Sequence, residues 1–424
     1  MHNRNAVRYF VIIATVLLFL FLSNDFGLID VQKTAIVTAV GVDKEGDEFI
    51  VSSQIAMPVS EGQQSSTKTV LIVSKGNTVS AALEKTNGKT GWYPKLVFCK
   101  LLLLGEETVK SNVFDVLDFF LRDEYISEDC LVAACEGTAQ EVLNASTPID
   151  NASGQAIEKI LSAHAERVGS AMPNTLRGFA SSSLGESKSG YLPLLKAQSL
   201  QEQTEKSGGT EEEKEQSGSS ENSGSSENSG SQSGSAGSGS SSSSGGAQKS
   251  GEGGEEKAFK ANQTSLFLNG ISVQTLTKDE TFAFASVKTK LKLAPYTVAA
   301  NDKFYTLTIK HNNPKIKLSV EKNGTIKLDI SVSLVAGIAD FSKAEDENEI
   351  SDAGDIPSGV FAAAERTLKE QIERTFDKCR QSKCDLFGLT DLLRKYDNKY
   401  YEALKNDLMD RTTLSVAVRF QSVR

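Results

Sequence analysis

Histidine is nearly missing from this chain: His2, His164 and His311 are the only three in 424 residues. No Gly-x-Ser-x-Gly, phosphate loop or His-Glu-x-x-His occurs, so serine hydrolase, nucleotide hydrolase and zinc protease chemistry have no foothold. His164 falls in an expected helix and His311 in an expected turn beside Asn312-Asn313-Pro314. All three are read as solvent-facing. Cysteine is also sparse. The five (Cys99, Cys130, Cys135, Cys379, Cys384) are an odd number that cannot pair completely within one chain, which excludes a disulfide scaffold. Cys99, inside the apolar run Leu96–Leu104, reads as a core thiol. Cys130/Cys135 and Cys379/Cys384 are each five apart, so either pair could close a small loop; neither has metal-ligand spacing with a histidine nearby. No basic cluster interleaved with aromatics marks a nucleic-acid surface.

Hydrophobic residues make up only 39% of the chain, and Ser and Gly explain the shortfall. They concentrate in Gln201–Lys257, a stretch with 11 Glu and 4 Lys that carries −7 of the chain's −9 net charge. The remainder is nearly neutral, so the acidic balance says little about partners. Ser/Gly repeats with scattered Glu bury too little apolar area to offset chain entropy, and 201–257 reads as a disordered insert.

What the chain does have is a basic start (Arg4, Arg8) leading into an apolar run, Phe10–Leu22, that ends at Ser23-Asn24-Asp25. The run is shorter than the roughly 20 residues that span a bilayer, but Ala6, Val7 and Tyr9, with Arg8 snorkelling, bring it near the lower limit. Both arginines precede it and Asp25 and Asp30 follow, which puts the first residues in the cytoplasm and 25–424 outside. An Ala-x-Ala cleavage site is missing. The expectation is an uncleaved anchor over residues 6–23; the competing reading is a cleaved signal peptide.

Alternation over Ala35–Asp43 and Glu48–Met57, joined by Lys44-Glu45-Gly46-Asp47, predicts an antiparallel hairpin. A loop over Pro58–Lys68, a short strand over Thr69–Ser74, and a helix opened by Gly76-Asn77-Thr78 and running to Lys85 follow. Residues 96–104 read as one buried strand, Ser111–Arg122 as an amphipathic helix, Leu131–Cys135 as a strand and Thr138–Leu143 as a short helix. Gly154–Arg167 reads as a helix, followed by irregular chain around Pro173 and Pro193. Strands are expected at 265–268, 304–310, 314–320 and 325–335, with a turn at 321–324. Helices over Pro357–Lys378 and Leu389–Tyr396 and a strand over Thr413–Phe420 complete the chain. The fold class is α+β and multi-domain, with mixed β-sheets flanked by helices. The expected units are the anchor 1–24, an N-terminal α+β domain 30–145, a middle domain 146–200 plus 258–297, the insert 201–257 and a C-terminal α+β domain 298–424.

No catalytic, cofactor-binding or metal-ligating residue is assigned. Asp43 beside Gly41 could pair with Asp47, but a turn-forming role is the commoner use of such a residue. Arg122-Asp123 could bind an anion, though a helix end paired with a neighbouring carboxylate explains it. Glu345-Asp346-Glu347-Asn348-Glu349 lacks the spacing and Gly of a calcium loop and reads as solvated.

Several stretches together resemble the C-subunit family of spore germinant receptors, the Ger(x)C lipoproteins of endospore-forming Firmicutes. They are Ala35–Asp43, Gly76-Asn77-Thr78 with its helix, Leu103-Leu104-Gly105-Glu106-Glu107 and Val116–Asp123. Beyond these come Tyr191-Leu192-Pro193-Leu194-Leu195, Leu266-Phe267-Leu268-Asn269-Gly270, Leu276–Thr281 and Cys384-Asp385-Leu386-Phe387-Gly388. Their order and spacing cover 30–424, interrupted by the insert. Two departures stand out. The family's lipid-bearing Cys falls at about Asp25, whose carboxylate cannot take a diacylglycerol thioether, so the hydrophobic segment would have to anchor the chain uncut. The second is the insert itself.

The resemblance implies a non-enzymatic subunit of a nutrient germinant receptor, required for germination. Its implied partners are the lipid bilayer and two integral membrane subunits, without nucleic acid. Its implied place is the outer face of the spore inner membrane. The alternative is an extracytoplasmic, membrane-anchored solute-binding protein, which a single large cleft between two lobes would favour.

Overall fold

The computed structural model describes residues 2–22, 34–61, 64–145, 152–199, 257–322, 324–341 and 359–422. Helix α1 (His2–Leu22) carries the apolar N-terminal run. Its side chains from Arg8 to Leu18 are all exposed, so that stretch is not buried against the described residues. Its apolar part, Phe10–Leu22, is about 20 Å long at 1.5 Å per residue, against about 30 Å of hydrocarbon. Among the described residues no helix is long and apolar enough to cross a membrane.

The expected hairpin forms from β1 (Thr34–Glu45) and β2 (Glu48–Glu61). Its turn uses Gly46 at φ +60, a left-handed conformation open to glycine. The loop expected over Pro58–Lys68 is corrected. Strand β2 runs on to Glu61 and pairs residue by residue with β3 (Gln64–Gly76), because the polar Ser/Thr/Gln chain there still supplies backbone partners. Helix α2 (Val79–Thr90) starts where expected, with Thr78 Oγ1 accepting from Ala81 N at 3.1 Å, and buries Val79, Ala82 and Leu83.

The run 96–104 is not one strand. Strand β4 (Tyr93–Lys95), a 3-10 turn (Leu96–Phe98) and β5 (Leu101–Leu104) divide it, and Leu96 and Cys99 face inward while Val97 and Phe98 face out. Strand β5 pairs parallel with β1 and with β6 (Leu131–Cys135). Its four leucines are all buried, as a central parallel strand covered on both faces requires. Leu102 and Leu104 join the core beneath α2, α4 (Phe114–Arg122) and α8 (Leu176–Ser183). Leu101 and Leu103 join the opposite core beneath α5 (Ala139–Asn144) and α6 (Ser153–Ile160). Alternation along one strand thus builds a helix–sheet–helix stack.

Between β5 and α4 lies the short α3 (Glu106–Lys110). The helix expected over Gly154–Arg167 is two, α6 and α7 (Ala163–Arg167), parted at Leu161–Ser162 where Ser162 is extended. The irregular stretch that followed is also corrected. It holds β7 (Asn174–Thr175), α8 and β8 (Ser189–Ser199), with Pro193 inside β8 opposite Thr264. Strands β9 (Lys257–Leu268) and β10 (Ile271–Leu276) complete a ten-stranded sheet of order β10-β9-β8-β6-β5-β1-β2-β3, with β4 and β7 to the side. Residues 201–256 lie outside the described chain, but their flanks do not: Ser199 and Lys257 are paired partners across β8 and β9.

Helix α9 (Lys278–Lys288) leads into a four-stranded sheet of order β11-β12-β13-β14: β11 (Ala294–Ala300), β12 (Lys303–Val320), β13 (Ile326–Phe341) and β14 (Thr412–Ser422). The two strands expected at 304–310 and 314–320 are one, and His311, expected in a turn, sits at its irregularity. Pro314 is tolerated because β11 has ended at the level of Ile309, so no neighbour on that side needs its missing N–H. Strands β13 and β14 are parallel, joined through α10 (Val360–Gln381), α11 (Leu389–Tyr396) and α12 (Asn398–Leu404). Helix α10 buries Val360, Ala364, Leu368, Ile372 and Phe376, a four-residue repeat that lies in one core with the period-two stripe Ile326, Leu328, Ile330, Val332 and Leu334 of β13.

Candidate functional site

The residues singled out in the sequence do not meet at one reactive centre. His164 and His311 are exposed, and the described residues hold no metal-binding group of His, Cys, Asp and Glu. His2 begins α1, and Glu345–Glu349 lies outside the described residues. All five cysteines are free and buried, so neither spacing closes a disulfide loop. Burial pushes Cys384 up to about 12 and raises Cys135 and Cys379 as well; Cys130 is raised first by its hydrogen bond with Cys99, then by burial. None of these four is a poised thiolate. Arg122 pairs with Asp118 at 3.0 Å, and Asp123 accepts from the Tyr125 and Ile126 backbones, so both have the ordinary helix-end roles expected of them.

Asp43 is different. The turn reading is corrected: it lies within β1, buried, and accepts from Ala139 N at 2.7 Å and Gln140 N at 2.9 Å. It thus caps α5 from 96 residues away. Burial raises its pKa above the ordinary value, against the two backbone hydrogen bonds that favour the carboxylate. Gly105 makes room for it, since a Cβ at Gly105 would stand 1.8 Å from Asp43 Oδ1. Asp47 is exposed in the hairpin turn and forms no pair with it.

The second concentration of polar chemistry is the joint between the two sheets. Thr277 and Glu280 form a capping box at the start of α9, readable in the sequence as Thr-x-x-Glu. Glu280 also pairs with Lys378 of α10 at 2.7 Å, and Lys378 donates to Thr275 O at 3.1 Å. Burial opposes ionisation of Glu280, but the hydrogen bonds and the Lys378 charge outweigh it and hold the carboxyl below its ordinary pKa. Asp385 caps α11 through Leu389 N at 2.8 Å and Thr390 N at 2.7 Å, while its own N–H donates to Ser189 Oγ of β8. Cys384 Sγ donates to Phe267 O of β9 at 3.3 Å. The segment Cys384–Gly388 is therefore a clasp on the ten-stranded sheet.

Sequence reading missed the next cluster. Glu186, in the turn before β8, accepts from Arg394 Nη1 at 3.0 Å and from the Tyr401 hydroxyl. That hydrogen bond pushes Tyr401 up to about 12 and Glu186 down. No local pattern could have found the trio, because Glu186 stands more than 200 residues before both partners. On either side of the 185–187 turn lie two clefts of about 630 Å³ and 420 Å³. Lys383, Asp385, Lys405 and Asp410 line the larger, and Lys288, Asp391 and Arg394 the smaller. Both signs of charge are mixed, and the carboxylates of Glu186 and Asp385 are spent on structure.

Residues 28–197 match the family model described as the spore germination protein N-terminal domain. Residues 262–422 match the one described as spore germination B3/GerAC like, C-terminal. The chain belongs to the Ger(x)C family of spore germination proteins. Membership gives it a role in spore germination. The interval matched by neither family model, 198–261, contains the Ser/Gly/Glu stretch. Spore germination protein B3 of Bacillus subtilis (strain 168) is 27% identical over 125 residues, which cover 28% of this chain and 33% of that protein. The chain thus spans a third of the length of that curated relative. The crystal structure of the GerBC protein aligns with 91% of this chain and 97% of its own at 16% identity, with a TM-score of 0.48.

Proposed function

We propose that this protein is a non-enzymatic subunit of a nutrient germinant receptor. In this reading residues 6–23 remain as an uncleaved anchor in the spore inner membrane and 25–424 stand on its outer face. The observation that carries it is the family match of both halves of the folded chain. Helix α1 supports the anchor: Phe10, Ile12, Ile13, Leu17 and Leu18 are more than half exposed. Each large apolar side chain left in water forgoes about 1.5–3 kcal/mol, which lipid would recover. The folded part, in which the expected units 30–145 and 146–200 plus 258–297 share the ten-stranded sheet and 298–424 builds the second, docks two integral membrane subunits through a few apolar anchors. The alternative reading, a membrane-anchored solute-binding protein, calls for a single large cleft between two lobes, and the joint holds instead two separate clefts lined by both signs of charge.

Deletion of the gene should abolish germination by particular nutrients and leave sporulation and a receptor-independent trigger intact. Pull-down from spore inner membrane should bring two multi-span proteins along, and mass spectrometry should find Met1–Arg8 still attached. A null strain that germinates normally with every nutrient, together with a protein that purifies alone, overturns the receptor reading in favour of solute binding.

A further inference from the structure

The exposed apolar side chains outside α1 include one dense group. Trp92 (45% exposed), Tyr93, Val97 and Phe98 (54%) fall within residues 92–98, between α2 and β5. Tyr125 joins them through Lys95, whose Nζ lies 4.7 Å from its ring centroid. The group is fixed rather than floppy. Leu96 and Cys99 are buried on the other side of the 3-10 turn, so Val97 and Phe98 are held outward. Its place in the sheet is equally definite: Tyr93 pairs with Thr34, Pro94 with Ala35 and Lys95 with Ile36. Thr34 is where the chain enters the sheet after α1. The aromatic group therefore stands at the end of the sheet where β1 begins, from which the chain runs back to the N-terminal helix.

We propose that this face, centred on Trp92, Tyr93, Val97 and Phe98, rests on the lipid bilayer as a second membrane contact. The proposal rests on the anchor reading given above. The connection from Leu22 to Thr34 reaches at most about 40 Å when fully extended, so this end of the sheet is tethered close to the surface in which α1 is held. Trp and Tyr, with an apolar ring and a polar tip, favour the headgroup level. Residues 85–100 also carry Lys85, Lys89, Lys95 and Lys100 and no acidic side chain, a balance that suits anionic headgroups. Lys85 and Lys89 donate to the Lys75 and Val73 carbonyls and keep their charge, so the aromatic side chains carry the contact and the lysines bias it toward anionic lipid. Asp123 and Glu124 beside Tyr125 keep the contact at the headgroup level instead of the hydrocarbon.

Trp92 is the only tryptophan in the chain and is its own reporter. The full chain would be reconstituted into vesicles of phosphatidylglycerol and phosphatidylcholine, with and without bromine on the phosphatidylcholine acyl carbons nearest the headgroup, and recovered by flotation. Seated on lipid, Trp92 emission shifts to the blue, loses intensity in brominated vesicles and is shielded from acrylamide. Protein that floats but whose emission is indifferent to bromine and open to acrylamide overturns the second contact and leaves the anchor standing. Protein that does not float overturns both. The variant F98S should float as the parent does while its Trp92 loses part of the bromine quenching; unchanged quenching in F98S counts against a shared face.

Discussion

Replacing Lys378 by Met removes the charge that faces Glu280 while keeping most of the side-chain stem. The pair is 2.7 Å apart, with Glu280 almost fully buried and Lys378 about a quarter exposed. At an effective dielectric of 20 the bare attraction is about 6 kcal/mol, most of which offsets the desolvation of the two charges. The loss on K378M is larger than the pair's net worth, because Glu280 is left buried with only its capping-box hydrogen bond and Thr275 O loses a donor. About 3 kcal/mol is expected, reduced somewhat by the partial exposure of Lys378. The assay is urea unfolding followed by circular dichroism, for the parent, K378M, E280Q and the double variant. The two positions should couple by about 1–2 kcal/mol. The pH dependence has a defined sign. Glu280 has a depressed pKa in the folded state, so its contribution is present above the ordinary value of 4.5 and is lost as pH falls through the folded value. E280Q should lack that acid-side loss. A K378M midpoint within about 0.5 kcal/mol of the parent, with the acid-side slope intact, would show that α9 and α10 are held by packing alone.

Asp43 should show the opposite slope. Its pKa is raised by burial, so its contribution is greatest below the ordinary 3.8 and declines as pH rises through the folded value. D43N should remove that decline and, by turning an amide NH2 toward one of the two α5 N–H groups, lower stability at acid pH by about 1–2 kcal/mol; urea titrations from pH 3 to 8 report both, and an unchanged slope refutes the assignment. The stretch 201–256 joins two residues that are already cross-strand partners, Ser199 and Lys257. Replacing it by a short Asn-Gly turn should stabilise the chain by up to about 3 kcal/mol through the shorter closure, and loss of cooperative melting in differential scanning calorimetry would show that the stretch contributes to the fold.

Short-range patterns carried far in this chain. The β1–β2 hairpin is visible in its alternation and in Gly46, α2 in Thr78 before an apolar stripe, and α11 in its apolar spacing, whereas the sequence reading misses α9 although Thr277-x-x-Glu280 marks its start. Each of these signals is complete within a few residues, because alternation, capping and left-handed turns are satisfied locally. The apolar start of the chain and the Ser/Gly/Glu stretch are likewise compositional facts, and the order of the family's motifs sufficed to name the family. Only the tertiary structure decided the rest. Residues 96–104 are uniformly apolar, so nothing in them tells a turn from a strand until Leu96 and Cys99 find the core and Val97 and Phe98 do not. Residues 304–320 look broken at Pro314 until β11 is seen to stop short of it. Asp43 reads as a turn residue until the α5 amides are brought to it from 96 residues away, and Glu186 reads as nothing at all until Arg394 and Tyr401 arrive. A buried charge is specified by its partners, and distant partners leave no periodicity in the sequence around it.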